Sequence, residues 1–354
     1  MSRYHQLTVQ KIVRETPDAI SIHFKQPESQ KLTYKSGQFL TLLVPVGGVV
    51  ERRSYSMCSS PLTDDHLIVS VKRTTGGKVS SYLNNSLKAG DVLEVMEPAG
   101  GFFVEPGFAS PRHIILLAAG SGITPLLSIA KTVLHAEPQS RVSLIYGNRN
   151  LQSVIFHGEL AALQQQCAGR LQMIHVLSQP ETGWDGHTGR LNQSLALKIL
   201  ETLPQLPHTE YFICGPDGMM EEMKHALRIL QVPAERVHSE SFVSAKEKQE
   251  THGEVIEEAS LTVKDQQVTV VYEGTEYKFK VPASKTILEA ALANNIDLPY
   301  SCQSGLCTAC MGRCRSGKVK LDDEDGLSEA ELREGYVLTC VGHPLTADVV
   351  IEID

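Results

Sequence analysis

The chain has 354 residues, 42% of them hydrophobic and 21% charged. That suits two or three globular domains and excludes a small disulfide scaffold, a fibrous repeat or a disordered chain. Its 33 basic and 41 acidic side chains leave a net charge of -8, a poor balance for a nucleic-acid partner, whose phosphates call for a basic surface.

The charge is uneven. Residues 1–245 carry 22 basic and 21 acidic groups, whereas residues 261–354 carry 9 and 15. Met1–Gln10 lacks the basic and then apolar stretches of a leader, and no apolar run approaches the ~18 residues of a membrane span. A cytoplasmic chain with no membrane partner is expected.

From His5 to about Gly107, short alternating runs such as Leu40–Val44, His66–Lys72 and Val92–Val95 are broken by Gly and Pro, the pattern of antiparallel strands closed into a barrel. One helix is predicted there, beginning at Lys78 after Gly76-Gly77, with Val79, Tyr82 and Leu83 at helical spacing. Beyond Pro111, buried runs alternate with amphipathic ones. These are His113–Ala119, a helix over Pro125–His135, Val142–Tyr146, a helix from His157, Leu171–Leu177, a helix from Gln193, Glu210–Cys214 and a helix over Met219–Leu230. Such alternation predicts a doubly wound parallel sheet, ending near Phe242.

Ser244–Ser260 is rich in Lys and Glu and poor in apolar residues, a linker composition. Strands near Val268–Tyr272 and Tyr277–Val281 follow, then a helix over Thr286–Asn294, a cysteine loop, a helix from Ser328 and a last strand over Asp348–Ile353. The expected domains are 1–108, 109–244 and 261–354, with 245–260 between the second and third.

The cysteine loop reads Cys302-x4-Cys307-x2-Cys310, and Cys340 stands in the distant run Tyr336-Val-Leu-Thr-Cys340. Four of the eight cysteines lie within Cys302–Cys314, too uneven for a disulfide framework and suggestive of metal. Three close thiolates plus a remote fourth is the spacing of a plant-type two-iron two-sulfur cluster. Ser304, Gly305 and Gly312 give the loop room to turn its amides toward sulfur. A structural zinc site is the alternative, although zinc ligands usually come as two separate clips and the second is missing. Cys314 is either a substitute ligand or a packing thiol.

The strand His113–Ala119 runs into Gly120-Ser-Gly122-Ile-Thr124-Pro125, with a helix N-terminus where a pyrophosphate would sit. Pro125 occupies the place of the third glycine of the usual dinucleotide fingerprint, and a plain tight turn is the alternative. The next strand ends in Tyr146-Gly147-Asn148-Arg149, with no acidic residue to hold a ribose 2'-hydroxyl. Arg149 suits a 2'-phosphate and hence NADPH, with NADH possible, or is a surface arginine without a ligand. Arg52-Arg53-Ser54-Tyr55-Ser56 combines cation, aromatic face and hydroxyl, as a flavin with its phosphates would use, and Gly76-Gly77-Lys78-Val79-Ser80 offers amides at a helix start. Each alone is also a common turn or strand end. Cys214-Gly215-Pro216 closes a strand at the sheet edge where ligands gather, or is a buried Cys before a turn. No hydrolytic arrangement stands out.

Taken together, these motifs resemble the ferredoxin-NADP reductase-type flavoproteins that carry a C-terminal plant-type ferredoxin domain, over essentially the whole chain. The runs Ala118–Pro125 and Leu144–Arg149 are most similar to those of the reductases that serve phenylacetyl-CoA epoxidase in bacterial phenylacetate breakdown. The resemblance implies a flavin-binding barrel, a nucleotide domain and a β-grasp ferredoxin domain. It also implies FAD, a 2Fe-2S cluster and NADPH as cofactors, and an oxygenase component as electron acceptor.

By the same resemblance Arg53, Tyr55 and Ser56 contact a flavin phosphate, stack on the ring and bond near N5. Val71 and Lys72 line the isoalloxazine, and Gly77 and Ser80 take the pyrophosphate. Gly120, Gly122 and Thr124 hold the nicotinamide nucleotide, with Cys214 and Gly215 beside its ring. Glu240 and Phe242 close the module against the flavin. Ser56, Cys214 and Glu240 are the catalytic candidates, and Cys302 and Cys307 bind one iron, Cys310 and Cys340 the other. The acidic ferredoxin domain is expected to steer docking onto a basic acceptor face. A reductase for a ring oxygenase, a steroid hydroxylase or a hybrid-cluster protein is the neighbouring reading, and a redox sensor without turnover the distant one.

Overall fold

The structure is a computed structural model that describes residues 4–27, 31–107, 110–167, 169–204, 206–242, 263–303, 305, 307–323, 326–327 and 329–353, without the side chains of 329–330. The expected linker 245–260, Ser304, Ser328 and the boundary residues 108, 109 and 244 lie outside them. Two compact units emerge, Met1–Glu240 and Ser241–Asp354, and each is described by itself.

The first unit opens with β1 (Tyr4–Thr16), β2 (Ala19–Lys25), β3 (Phe39–Val46), β4 (Val49–Ser56), β5 (Leu67–Lys72), α1 (Lys78–Asn85) and β6 (Val92–Met96). Every pairing is antiparallel, in the order β4-β3-β6-β1-β2-β5, and a bridge from Met57 to Val69 joins the two ends, so the sheet curls closed. Period-two alternation turns Leu7, Val9, Ile20, Ile22, Leu40, Leu42, Val69 and Val71 into one interior.

A doubly wound sheet follows: β7 (His113–Ala119), α2 (Ile123–Ala136), β8 (Arg141–Asn148), α3 (His157–Gln166), β9 (Leu171–Leu177), β10 (His187–Thr188), α4 (Gln193–Leu200), β11 (Thr209–Cys214), α5 (Asp217–Ile229) and β12 (Val237–Glu240). Its strands are parallel in the order β10-β9-β8-β7-β11-β12. Ile114, Leu116 and Ala118 of β7 pack with α2, while Ile115 and Leu117 pack with α4 and α5. Burial on both faces is why these strands read as unbroken apolar runs. The order reverses at β7, so the crevice between the carboxyl ends of β7 and β11 is the switch point where ligands of such sheets bind. The sheet ends at Glu240, two residues short of the expected Phe242.

Barrel and sheet are tied by polar contacts. Lys131 of α2 pairs with Asp64 at 2.9 Å and Glu159 at 2.8 Å, Ser128 Oγ donates to the Ser59 carbonyl at 2.6 Å, and the Ser60 and Thr132 hydroxyls lie 2.7 Å apart.

The second unit contains β13 (Gln266–Tyr272), β14 (Thr275–Val281), α6 (Ile287–Ala293), β15 (Met311–Ser316), β16 (Val319–Leu321), α7 (Glu329–Arg333), β17 (Tyr336–Leu338), β18 (Gly342–Pro344) and β19 (Val349–Ile353). A mixed sheet, β14-β13-β19-β15-β17, packs against α6, with β16 and β18 as a separate pair. Thr286 caps α6 reciprocally with Glu289, and Asn294 ends it, as the predicted span requires. The short strands β15–β18 after the cysteine loop have no clear counterpart in the hydrophobic periodicity.

Candidate functional site: flavin, nucleotide and cluster residues

Arg53, Tyr55 and Ser56 sit at the end of β4. Arg53 is half-exposed and pairs with Glu51 at 3.0 Å, while Ser56 is buried. Alternation along β5 turns Val71 into the barrel core, so only Lys72 of that pair holds its side chain outside the interior. At α1, Ser80 Oγ accepts from the Thr74 amide at 3.1 Å, and Gly77 is the N-cap, with no side chain occupying the helix's first amides. A Cβ at Gly77 would lie 2.5 Å from Ser80 Oγ. This open, uncapped cradle fits a flavin pyrophosphate.

At the switch point, Gly120 has φ +54, and a Cβ there would sit 3.3 Å from Lys72 Nζ, which brings barrel and nucleotide loop together. A Cβ at Gly122 would meet the Cys214 carbonyl oxygen at 2.0 Å and the Gly215 nitrogen at 2.7 Å. The two motifs read separately from the sequence are therefore packed backbone to backbone. Thr124 Oγ1 donates to the Ser121 carbonyl at 2.8 Å and Tyr146 Oη to the Gly120 carbonyl at 2.8 Å, which fixes the loop's shape. The α2 N-terminus has no side-chain cap and no acidic residue in its first turn, a fit for a nucleotide phosphate. Tyr146 carried no sequence signal beyond its place on a buried strand.

Arg149 is exposed at the end of β8. Burial is the main cause that lowers the Lys72 ammonium's pKa, with the Arg149 charge adding to it and Asp18 opposing. Asp18 pairs with Arg73 at 2.7 Å. Lys72, Arg73 and Arg149 thus give this edge a basic character that Asp18 only partly offsets.

The third convergence is at β12. Cys214 and Glu240 are register partners on β11 and β12, and Ser56 Oγ donates to Glu240 Oε2 at 3.3 Å. Burial raises the Glu240 carboxyl to about 8, against the opposing pull of the Ser56 bond. The Cys214 thiol is 0% exposed and its pKa is pushed far up by burial. Phe242, expected against the flavin, is 46% exposed.

In the second unit, Gln303 (φ 55) and Gly305 (φ 73) turn the cysteine loop through the left-handed region. A Cβ at Gly305 would meet Asp323 Cβ at 2.9 Å, and its carbonyl accepts from the Gly326 amide at 2.8 Å. The Cys310 carbonyl accepts from both the amide and hydroxyl of Thr339, each at 3.1 Å, which holds Cys340 beside the loop. Sulfur contacts run from Cys307 to Cys302 and from Cys340 to Cys302 and Cys310; these neighbours push both thiols far above their usual range. Crowded thiols that resist ionising together fit a cationic centre that accepts them as thiolates. All four donors are cysteine sulfurs, three from one tight loop and a fourth held beside it, a soft set that fits an iron-sulfur cluster. Cys314 is half-buried on β15 and its thiol donates to the Ser316 carbonyl at 3.2 Å.

No helix among the described residues is long and apolar enough to cross a membrane. Residues 6–104 match the oxidoreductase FAD-binding domain, 116–225 the oxidoreductase NAD-binding domain and 270–345 the 2Fe-2S iron-sulfur cluster binding domain. The chain is 38% identical to a component chain of the 1,2-phenylacetyl-CoA epoxidase of Escherichia coli (strain K12), over 100% of this chain and 99% of that one. It is 36% identical to the ferredoxin reductase component of 3-ketosteroid-9-alpha-monooxygenase from Rhodococcus rhodochrous, over 99% and 97%. A solved phthalate dioxygenase reductase, described as a modular structure for electron transfer from pyridine nucleotides to [2Fe-2S], superposes with a TM-score of 0.61 at 25% identity, over 99% of this chain and 98% of that one. With barrel, nucleotide sheet and cysteine loop all in this order, the chain belongs to the family of reductase components of multicomponent oxygenases that combine FAD, a nicotinamide nucleotide and a 2Fe-2S cluster.

Proposed function

We propose that this chain takes electrons from NADPH and delivers them to an oxygenase component in the cytoplasm, phenylacetyl-CoA epoxidase being the favoured acceptor. When bound, FAD would supply the chemistry that takes two electrons from a nicotinamide nucleotide, and a 2Fe-2S cluster would supply one-electron transfer. The observation that carries the acceptor is the end-to-end 38% identity with the epoxidase component. The 36% identity with the ketosteroid monooxygenase component favours a steroid hydroxylase as the second reading. Pull-down with the tagged chain from cells grown on phenylacetate tests it: the epoxidase's other components are the expected catch, and a different oxygenase in their place overturns the assignment.

The residues divide the work as follows. Arg53 contacts and neutralises a flavin phosphate, Gly77 and Ser80 take the pyrophosphate, Tyr55 stacks on the ring, and Phe242 covers it. Lys72 and the backbone at Val71 flank the ring on the nucleotide side. Gly120, Gly122 and Thr124 admit the nicotinamide nucleotide closely, and Cys214 and Gly215 stand beside its ring. Ser56 and Glu240 hold a proton between them at the flavin edge, which the 3.3 Å bond and the raised carboxyl support. Cys302 and Cys307 hold one iron, Cys310 and Cys340 the other. Domain limits at 108 and 244, with 245–260 as linker, are the proposed division; each falls in a gap between the matched ranges 6–104, 116–225 and 270–345.

NADPH rather than NADH rests on Arg149 and the basic edge it forms with Lys72. Arg149→Ala should raise KM for NADPH about tenfold while leaving NADH nearly unchanged, as expected for one lost charge-assisted contact. An unaltered ratio in steady-state kinetics removes Arg149 as the phosphate reader. Sustained NADPH-driven ferricyanide reduction separates a reductase from a sensor that reduces once.

A further inference from the structure

His238 has no part in the chemistry above, yet it is built into the strand that carries Glu240. Among the described residues β12 is an edge strand of four residues, bonded to β11 alone. So short a ladder specifies its register weakly, and a slip of one residue would turn Glu240 to the opposite face, away from Ser56. His238 and Glu240, two apart, share a face of β12. The His238 ring stacks on its register partner Phe212, with centroids 4.5 Å apart and planes at 22°. Its Nε2 lies 3.3 Å from Glu210 Oε2. The other Glu210 oxygen accepts from Arg112 Nη1 at 2.8 Å, and Arg112 is buried and held by Glu137 through two bonds of 3.0 and 2.7 Å.

We infer that His238 is a positioning residue for hydride transfer: stacked on Phe212 and tied through Glu210 to the buried Arg112, it locks the register of β12 and thereby holds Glu240 against Ser56. His238, followed by Arg112, is also what keeps the Glu210 carboxylate below its usual pKa. The stack on Phe212 sets the height of the ring over β11, and the Glu210 carboxylate 3.3 Å from Nε2 holds its polar edge beside β11, so together they oppose slip of the strand.

This rests on Glu240 acting at the flavin, and a double-mutant cycle on the full, cofactor-loaded chain separates the two ideas. Flavin bleaching is followed by stopped flow at saturating NADPH, with steady-state KM measured alongside. Glu240→Gln should slow bleaching, and no effect there overturns the reading of Glu240 and the inference with it. His238→Ala should slow it about tenfold at unchanged KM, as misplacement of a reacting group does, and the double variant should be no slower than Glu240→Gln. His238→Gln, which keeps a planar polar group beside Phe212 and Glu210, should recover most of the rate and carries the test if the Ala variant loses its flavin. With Glu240→Gln impaired, a normal rate in His238→Ala or multiplicative losses in the double variant would overturn the role of His238 alone.

Discussion

Glu240 shows how little a residue's type says about its chemistry. A carboxylate at the end of a strand reads as solvated, but here burial raises its pKa to about 8 while Ser56 donates to it at 3.3 Å. Being raised, the group is protonated below that pH and ionised above it. The rate of hydride transfer should therefore inflect near pH 8 in the native chain, and stopped-flow profiles of Glu240→Gln should lack that inflection. The same sign governs stability. Between the ordinary carboxylate pKa of 4.5 and about 8 the unfolded chain releases this proton and the folded chain keeps it, so the stability associated with Glu240 is fully present below 4.5 and is lost as pH rises through 8. The Glu-x-Phe run could be picked out of the sequence by resemblance. Its partner Ser56 could not be paired with it, because 184 positions separate the two.

Among elements, the Gly120–Thr124 turn was legible as a glycine-rich loop between strand and helix, but the reason for Gly122 was not. The sequence suggested ligand access. The structure adds a second demand, since a Cβ would meet the backbone of Cys214 and Gly215, which cannot rotate away as a side chain could. Gly122→Ala should accordingly cost about 2–3 kcal/mol by overpacking, read as a lower midpoint in chemical denaturation and impaired nucleotide binding. If stability is unchanged, the close approach of β11 is not structurally required. Element types were readable because helices and strands announce themselves by local period, as α6 does through its capping residues Thr286 and Glu289. Strands β15–β18 announce little: β16, β17 and β18 have three residues each, too few for a period to register.

For the whole molecule, the order of the cofactors makes a prediction that no single module makes. Cys307→Ser should leave NADPH-driven ferricyanide reduction largely intact, because that acceptor can take electrons from the flavin, while abolishing transfer to the oxygenase component. Equal loss of both activities would count against a relay through the cluster. Iron and sulfide analysis with the visible spectrum verifies that the variant has lost its centre.

The sequence by itself determined what depends on spacing along the chain: the four-cysteine pattern, the glycine loop opening a helix, the change from alternating to buried runs that separates barrel from sheet, and the family these imply. Tertiary structure alone decided which distant groups meet: Ser56 with Glu240, Lys72 with Gly120, Gly122 with the Cys214 carbonyl, and His238 with Phe212 and Glu210. It also decided that Val71 turns inward and that Cys214 is wholly buried. The physical reason is range. Periodicity and turn chemistry act over a few residues, whereas burial, pKa and close backbone approach depend on how separate elements pack, which no local pattern encodes.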